Sequence, residues 1–138
     1  MEVELNGQTY RIDRLNTFDQ WNVARRLMPV LGALSGIEDG DTLTKMLMPA
    51  FKSLGGMSDE DSDFVLNKCL SVVKRKQELN GVIAFANVLG AKNTMMFDDI
   101  DMFVMLRLAV FVVVENIGDF FTQAALDDSI AAALPKQN

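Results

Sequence analysis

Histidine is absent from the 138-residue chain, and cysteine occurs once, at Cys69. Without histidine there is no Ser-His or Cys-His pair for nucleophilic catalysis, and most zinc sites lose a principal ligand. A single cysteine forms no disulfide within the chain. Its flanks, Leu66-Asn67-Lys68 and Leu70-Ser71-Val72, follow an amphipathic helix and make it a small core residue. Positive charge is also short: 13 Lys and Arg stand against 19 Asp and Glu, for a net charge of −6. A phosphate-binding protein needs a basic face, so this balance argues against nucleic acid as a partner. No apolar run reaches the roughly 20 residues of a bilayer span, which argues against a membrane partner. The start, Met1-Glu2-Val3-Glu4-Leu5, lacks the basic and apolar regions of a signal peptide, so a cytoplasmic protein is expected.

What remains is apolar. Hydrophobic residues make up 49% of the chain, including nine Met and nine Phe. That is enough for one folded domain over residues 1–138. Val3 to Ile12 alternates about Asn6-Gly7, the pair that best tolerates a type I′ turn, so a β-hairpin is expected over residues 2–13. Thr17 and Gln20 read as a capping box opening a first helix. At 100° per residue, Trp21, Ala24, Leu27, Met28 and Leu31 share one arc, and Asn22, Arg25 and Arg26 lie opposite. Trp21 is therefore expected in the core, and Pro29 bends or restarts the helix.

Asp41 or Thr42 can open a second helix ending near Leu54, where Gly55-Gly56 breaks it. Ser58 and Asp61 open a third, expected from Asp59 to Lys74 or slightly beyond, with Lys74-Arg75-Lys76 complementing its C-terminal dipole. Asn80-Gly81 is a turn signal, and Val82 to Leu89 reads equally as strand, short helix or apolar loop. A last helix is expected from Asp98 or Asp99 to Leu126, apolar on nearly every side between Ile100 and Val114. The sum is a mainly α (α+β) fold: an N-terminal hairpin, a bundle of about four helices over residues 17–126, and a flexible tail over 127–138.

The acidic clusters carry little chemistry. Asp59-Glu60-Asp61-Ser62-Asp63 resembles the start of a calcium loop, but Phe64 and Leu70 stand where that loop needs Gly and Glu. Asp98, Asp99 and Asp101 are explained by a helix start. Glu115 and Asp119 sit one turn apart on a helix edge and read as solvent-facing or as an inter-subunit contact. No catalytic residue, metal ligand or cofactor is assigned, and the chain reads as a non-enzyme.

Three motifs carry a family resemblance. Phe18-Asp19-Gln20-Trp21-Asn22-Val23-Ala24-Arg25-Arg26-Leu27-Met28-Pro29 follows the hairpin. Met96-Phe97-Asp98-Asp99-Ile100-Asp101 and Glu115-Asn116-Ile117-Gly118-Asp119-Phe120-Phe121 come later. In this order they resemble the tail assembly chaperones of long-tailed bacteriophages and prophages, over roughly residues 3–125. The resemblance implies a helical, oligomerising protein that keeps the tape measure protein soluble while tail tube protein assembles round it. It implies action in the cytoplasm of the bacterial host and absence from the mature virion. It also implies a short form, without the extension that frameshifting adds in many such proteins. Trp21, Arg25, Arg26, Leu27, Pro29, Asn116, Phe120 and Phe121 are carried over as expected partner contacts. A structural tail or connector component is the alternative, and an enzyme with an acidic metal site is a third.

Overall fold

The computed structural model describes residues 1–27 and 54–126, with side chains of the last helix described through Gly118. Two hairpins and three helices make up these residues. Strands β1 (Glu2–Leu5) and β2 (Gln8–Ile12) precede helix α1 (Thr17–Leu27). Helix α2 (Asp59–Leu70) leads into β3 (Val73–Leu79) and β4 (Val82–Asn87). A short 3-10 turn (Ala91–Asn93) then leads to α3 (Met102–Leu126). The strands form one antiparallel sheet in the order β1-β2-β3-β4.

The four-helix bundle expected from sequence is thus corrected to a four-stranded sheet covered by helices. The error lies at residues 71–79. Helix α2 stops at Leu70, where the Ser71 N–H bonds to the Asn67 carbonyl and its hydroxyl bonds to the Lys68 carbonyl at 2.6 Å. Val73 and Arg75 then point inward, and Lys74 lies on the other face. Lys74-Arg75-Lys76, read as a helix end, is an alternating strand. Asn80 and Gly81 have φ of 54° and 80°, the two positive angles of a type I′ turn. That turn requires a strand on each side, so Val82–Asn87 pairs with β3 throughout its length. The first hairpin repeats the device at Asn6 and Gly7, with φ of 51° and 79°.

Pairing of Tyr10 with Arg75 and Ile12 with Val73 joins the hairpins. Tyr10, Ile12, Val73 and Val88 are buried beneath the helices. Val104, Leu108, Ala109 and Val112 of α3 enter the same core, with Val23, Ala24 and Leu27 of α1 and Val65, Cys69 and Leu70 of α2. Each fully buried aliphatic side chain here contributes about 1.5–3 kcal/mol. From Val104 to Ile117 the apolar side chains of α3 are all buried or half-buried within the domain.

Two helix starts move relative to expectation. At α1 the cap is Asn16: its Oδ1 accepts from the Asp19 N–H at 2.8 Å, and its amide donates to the Asp19 carboxylate at 3.1 Å. Gln20 donates instead to the Leu15 carbonyl at 2.9 Å. At α3 the cap is Asp101, which accepts from the Val104 N–H at 2.9 Å. Asp99 is thereby released to hold Arg75, at 2.6 Å. The α2 start is as expected, with Ser58 Oγ accepting from the Asp61 N–H at 3.1 Å. The expected second helix falls outside the described residues except at Leu54, and the expected tail lies wholly outside them.

Candidate interaction surface

Helix α1 is held on three sides. Val23, Ala24 and Leu27 face the core. Leu15, just before the helix, donates its N–H to Asn116 Oδ1 of α3 at 2.7 Å. Asn116 also donates to the carbonyls of Asp13 (3.3 Å) and Val112 (3.0 Å), so its amide is satisfied within the fold. On the α2 side, the Arg26 guanidinium stacks 3.7 Å from the Phe64 ring centroid, with Nε 3.2 Å from Asp61. That Nε–H is not aligned for a hydrogen bond, so the contact is an ion pair. Lys68 adds a second pair to Asp19 at 3.4 Å.

The fourth side of α1 is open. Phe18 is 77% exposed and Trp21 is 52% exposed, and Arg25 lies exposed one turn further on. Their spacing puts them on one stripe of the helix. Arg25 makes a local contact, its Nε–H donating to Asn22 Oδ1 at 3.3 Å. Trp21 was expected inside. The buried arc centres on Val23, Ala24 and Leu27, rotated away from Trp21, because α2 and α3 both pack against that side.

The eight residues expected as partner contacts therefore separate. Trp21 and Arg25 share the open stripe. Arg26 ties α1 to α2, Leu27 is in the core, and Asn116 braces the entry to α1. Phe120 and Phe121 lie in the later turns of α3, and Pro29 falls outside the described residues. Phe18 was missed, although its position one turn before Trp21 was legible. A second apolar surface was missed too: Leu79, Val82 and Ile83 are exposed at the β3–β4 tip. Met102 and Phe103 are exposed at the start of α3.

Buried titratable groups have structural explanations. Among the described residues Arg75 is the buried cation, 8% exposed on the inner face of the sheet. Asp99 neutralises it, and the Phe97 ring lies 4.4 Å from its guanidinium carbon. This latch holds the segment before α3 on the sheet. The Arg75 hydrogen bond draws the Asp99 pKa below the usual carboxylate value. Burial raises that of Tyr10, opposed by the nearby Arg75 charge. Burial alone pushes Cys69 up to about 12, which leaves no reactive thiolate at neutral pH. Among the described residues, no group of three or more His, Cys, Asp or Glu is placed to hold a metal ion. No helix among them is long and apolar enough to cross a membrane.

An exposed aromatic–arginine stripe on a rigidly braced helix, beside a sheet with an apolar tip, defines an interaction domain. The family model described as "Phage tail assembly chaperone protein, TAC" matches residues 6–128. The chain belongs to the phage tail assembly chaperone family. No match was found among the curated proteins or among the solved structures.

Proposed function

We propose that this protein is a non-enzymatic chaperone that holds the tape measure protein soluble and helps recruit tail tube protein, through the open stripe of α1. The observation that carries this is the exposure of Trp21 between Phe18 and Arg25 on a helix whose other faces are all engaged. Trp, Phe and Arg are the side chains enriched at interface centres, where one buried aromatic anchor supplies much of the affinity. A tape measure helix would lay its apolar face over Phe18 and Trp21, with an acidic group meeting Arg25. The net charge of −6 keeps the complex soluble. The protein self-associates and works in the cytoplasm of the bacterial host, leaving the tail before the virion is complete.

Co-expression with the tape measure protein tests this reading. The Phe18→Ala/Trp21→Ala/Arg25→Glu variant is expected to leave most of the client insoluble and to lose co-purification. Undiminished solubility and recovery would remove the α1 stripe from the mechanism. Detection of the protein in purified, complete particles would favour a structural tail component instead.

A further inference from the structure

The two edges of the sheet differ in charge. Strand β1 carries Glu2 and Glu4, and natural sheets use such charges to block edge pairing. Strand β4, Val82-Ile83-Ala84-Phe85-Ala86-Asn87, has no charged residue and no proline. No strand among the described residues covers its outer side. A single bridge from Leu89 to Met95 closes the edge just beyond it.

The backbone phase of that edge follows from the turn. Asn80-Gly81 is a two-residue type I′ connection, so Leu79 and Val82 form a hydrogen-bonded pair and alternate residues of β4 bond to β3. The Val88 N–H on the Val73 carbonyl at 3.2 Å keeps this phase. The N–H and C=O groups of Ile83, Phe85 and Asn87 therefore face the open side. Under a two-fold axis, such an edge is complementary to itself.

We propose that β4 pairs antiparallel with β4 of a second copy of this chain, with the two-fold axis at Ala84. In that register Ile83 lies opposite Phe85 of the other copy, Phe85 opposite its Ile83, and the two Ala84 residues face each other. Aromatic and β-branched cross-strand pairs are stabilising, and alanine at the axis lets the backbones approach. Charge favours this edge alone. The cations of β3 come no closer than three strand spacings, about 14 Å, which is beyond the screening length of roughly 8 Å at physiological salt. Pairing β1 with β1 would instead set Glu2 and Glu4 against their own copies. Pairing β1 with β4 would leave an open edge after every addition and give fibres rather than a closed assembly. The result is a continuous eight-stranded sheet in which the exposed Ile83 becomes covered.

This proposal rests on the self-association stated above and adds the surface. Sedimentation of the full chain over a range of concentrations is expected to show a monomer–dimer equilibrium. Ile83→Lys places two lysines diagonally across the axis and is expected to weaken the dimer by roughly tenfold or more. Variants with one added cysteine, the native Cys69 being buried, guard against a folding artefact. With oxidised glutathione, Ala84→Cys is expected to give a covalent dimer, since directly opposed non-hydrogen-bonded positions have Cα atoms about 4.5 Å apart. Val82→Cys and Ala86→Cys, each offset from its own copy by about 13 Å, are expected not to. A monomer at every concentration, larger open-ended species, or a dimer indifferent to Ile83→Lys with no preference for Ala84→Cys would each overturn the proposal. Client recovery by Ile83→Lys reads the α1 contact separately: dimer loss with client retained leaves that contact standing.

Discussion

Leu15 and Asn116 are joined by a 2.7 Å hydrogen bond between residues 101 positions apart. The donor is the backbone N–H just before α1, and the acceptor is a side chain on α3. The Asn116 amide also bonds to the Asp13 carbonyl, so one side chain fixes both ends of the β2–α1 connection. The angle at which α1 presents Phe18 and Trp21 is therefore set from α3.

Asn116→Leu leaves the Leu15 N–H and the Asp13 carbonyl without these partners. A buried group stripped of its partner costs about 1–3 kcal/mol. The urea midpoint is expected to fall accordingly, while Asn116→Asp, which keeps an acceptor for Leu15, falls less. Equal stability of Asn116→Leu and the parent would show that water replaces the bond.

The Asp99–Arg75 pair makes a pH prediction whose sign is fixed by the lowered pKa of Asp99. A carboxylate held below its unfolded value of about 4 contributes stability above that pH and loses it as pH falls through the folded pKa. Asp99→Asn is expected to destabilise the protein at pH 6 and to leave it unchanged once the parent carboxyl is protonated. Carboxyl carbon titration should place Asp99 below its ordinary value, and Arg75→Met should restore it. An effect of Asp99→Asn independent of pH would mean that its role is packing.

Cys69, buried with its thiol raised to about 12, is expected to resist labelling in the native state. At pH 8 such a thiol is roughly a thousandfold less ionised than one near 8.5. Labelling should therefore follow unfolding, and its rate should rise with urea. Rapid native-state labelling would show that the packing of α2 against α3 opens readily.

Trp21 is the sole tryptophan, so its fluorescence reports the α1 stripe alone. Free protein is expected to emit at long wavelength and to be quenched readily by acrylamide. Trp21→Ala should change unfolding stability by no more than about 0.5 kcal/mol, the usual range for surface substitutions. Client binding should shift the emission to shorter wavelength and reduce quenching. A short-wavelength emission in the free protein would place Trp21 in the core.

The turns and the α2 cap were the legible parts of the sequence because their cause is local. Asn6-Gly7, Asn80-Gly81 and Ser58 with Asp61 each act within a few residues. The β3 strand was not legible. Val73 to Leu79 carries three consecutive cations, which suit a helix end as well as a solvated strand. Pairing with β4 across the Asn80-Gly81 turn and with β2, some sixty positions away, decides between them. The orientation of Trp21 was lost for a related reason. A helix with apolar residues on several sides is turned by its neighbours, and here α2 and α3 selected Val23, Ala24 and Leu27. Asn116 and Asp99 read as helix residues in sequence, and their partners on the sheet and its connection became visible only in three dimensions.

The order in which the chain leaves the ribosome gives the β2–β3 pairing and the Leu15–Asn116 bond a further consequence. The first hairpin and α1 emerge before their partners β3 and α3, which are translated some sixty to a hundred residues later. An isolated hairpin is marginal in water, and long-range closure slows folding. The aromatic stripe of α1 is thus synthesised well before α3, and the Leu15–Asn116 bond that braces it forms only after Asn116 has emerged. If the stripe binds a client as proposed, a chain truncated before Asn116 is expected to bind it more weakly, so competence to bind would coincide with completion of the fold.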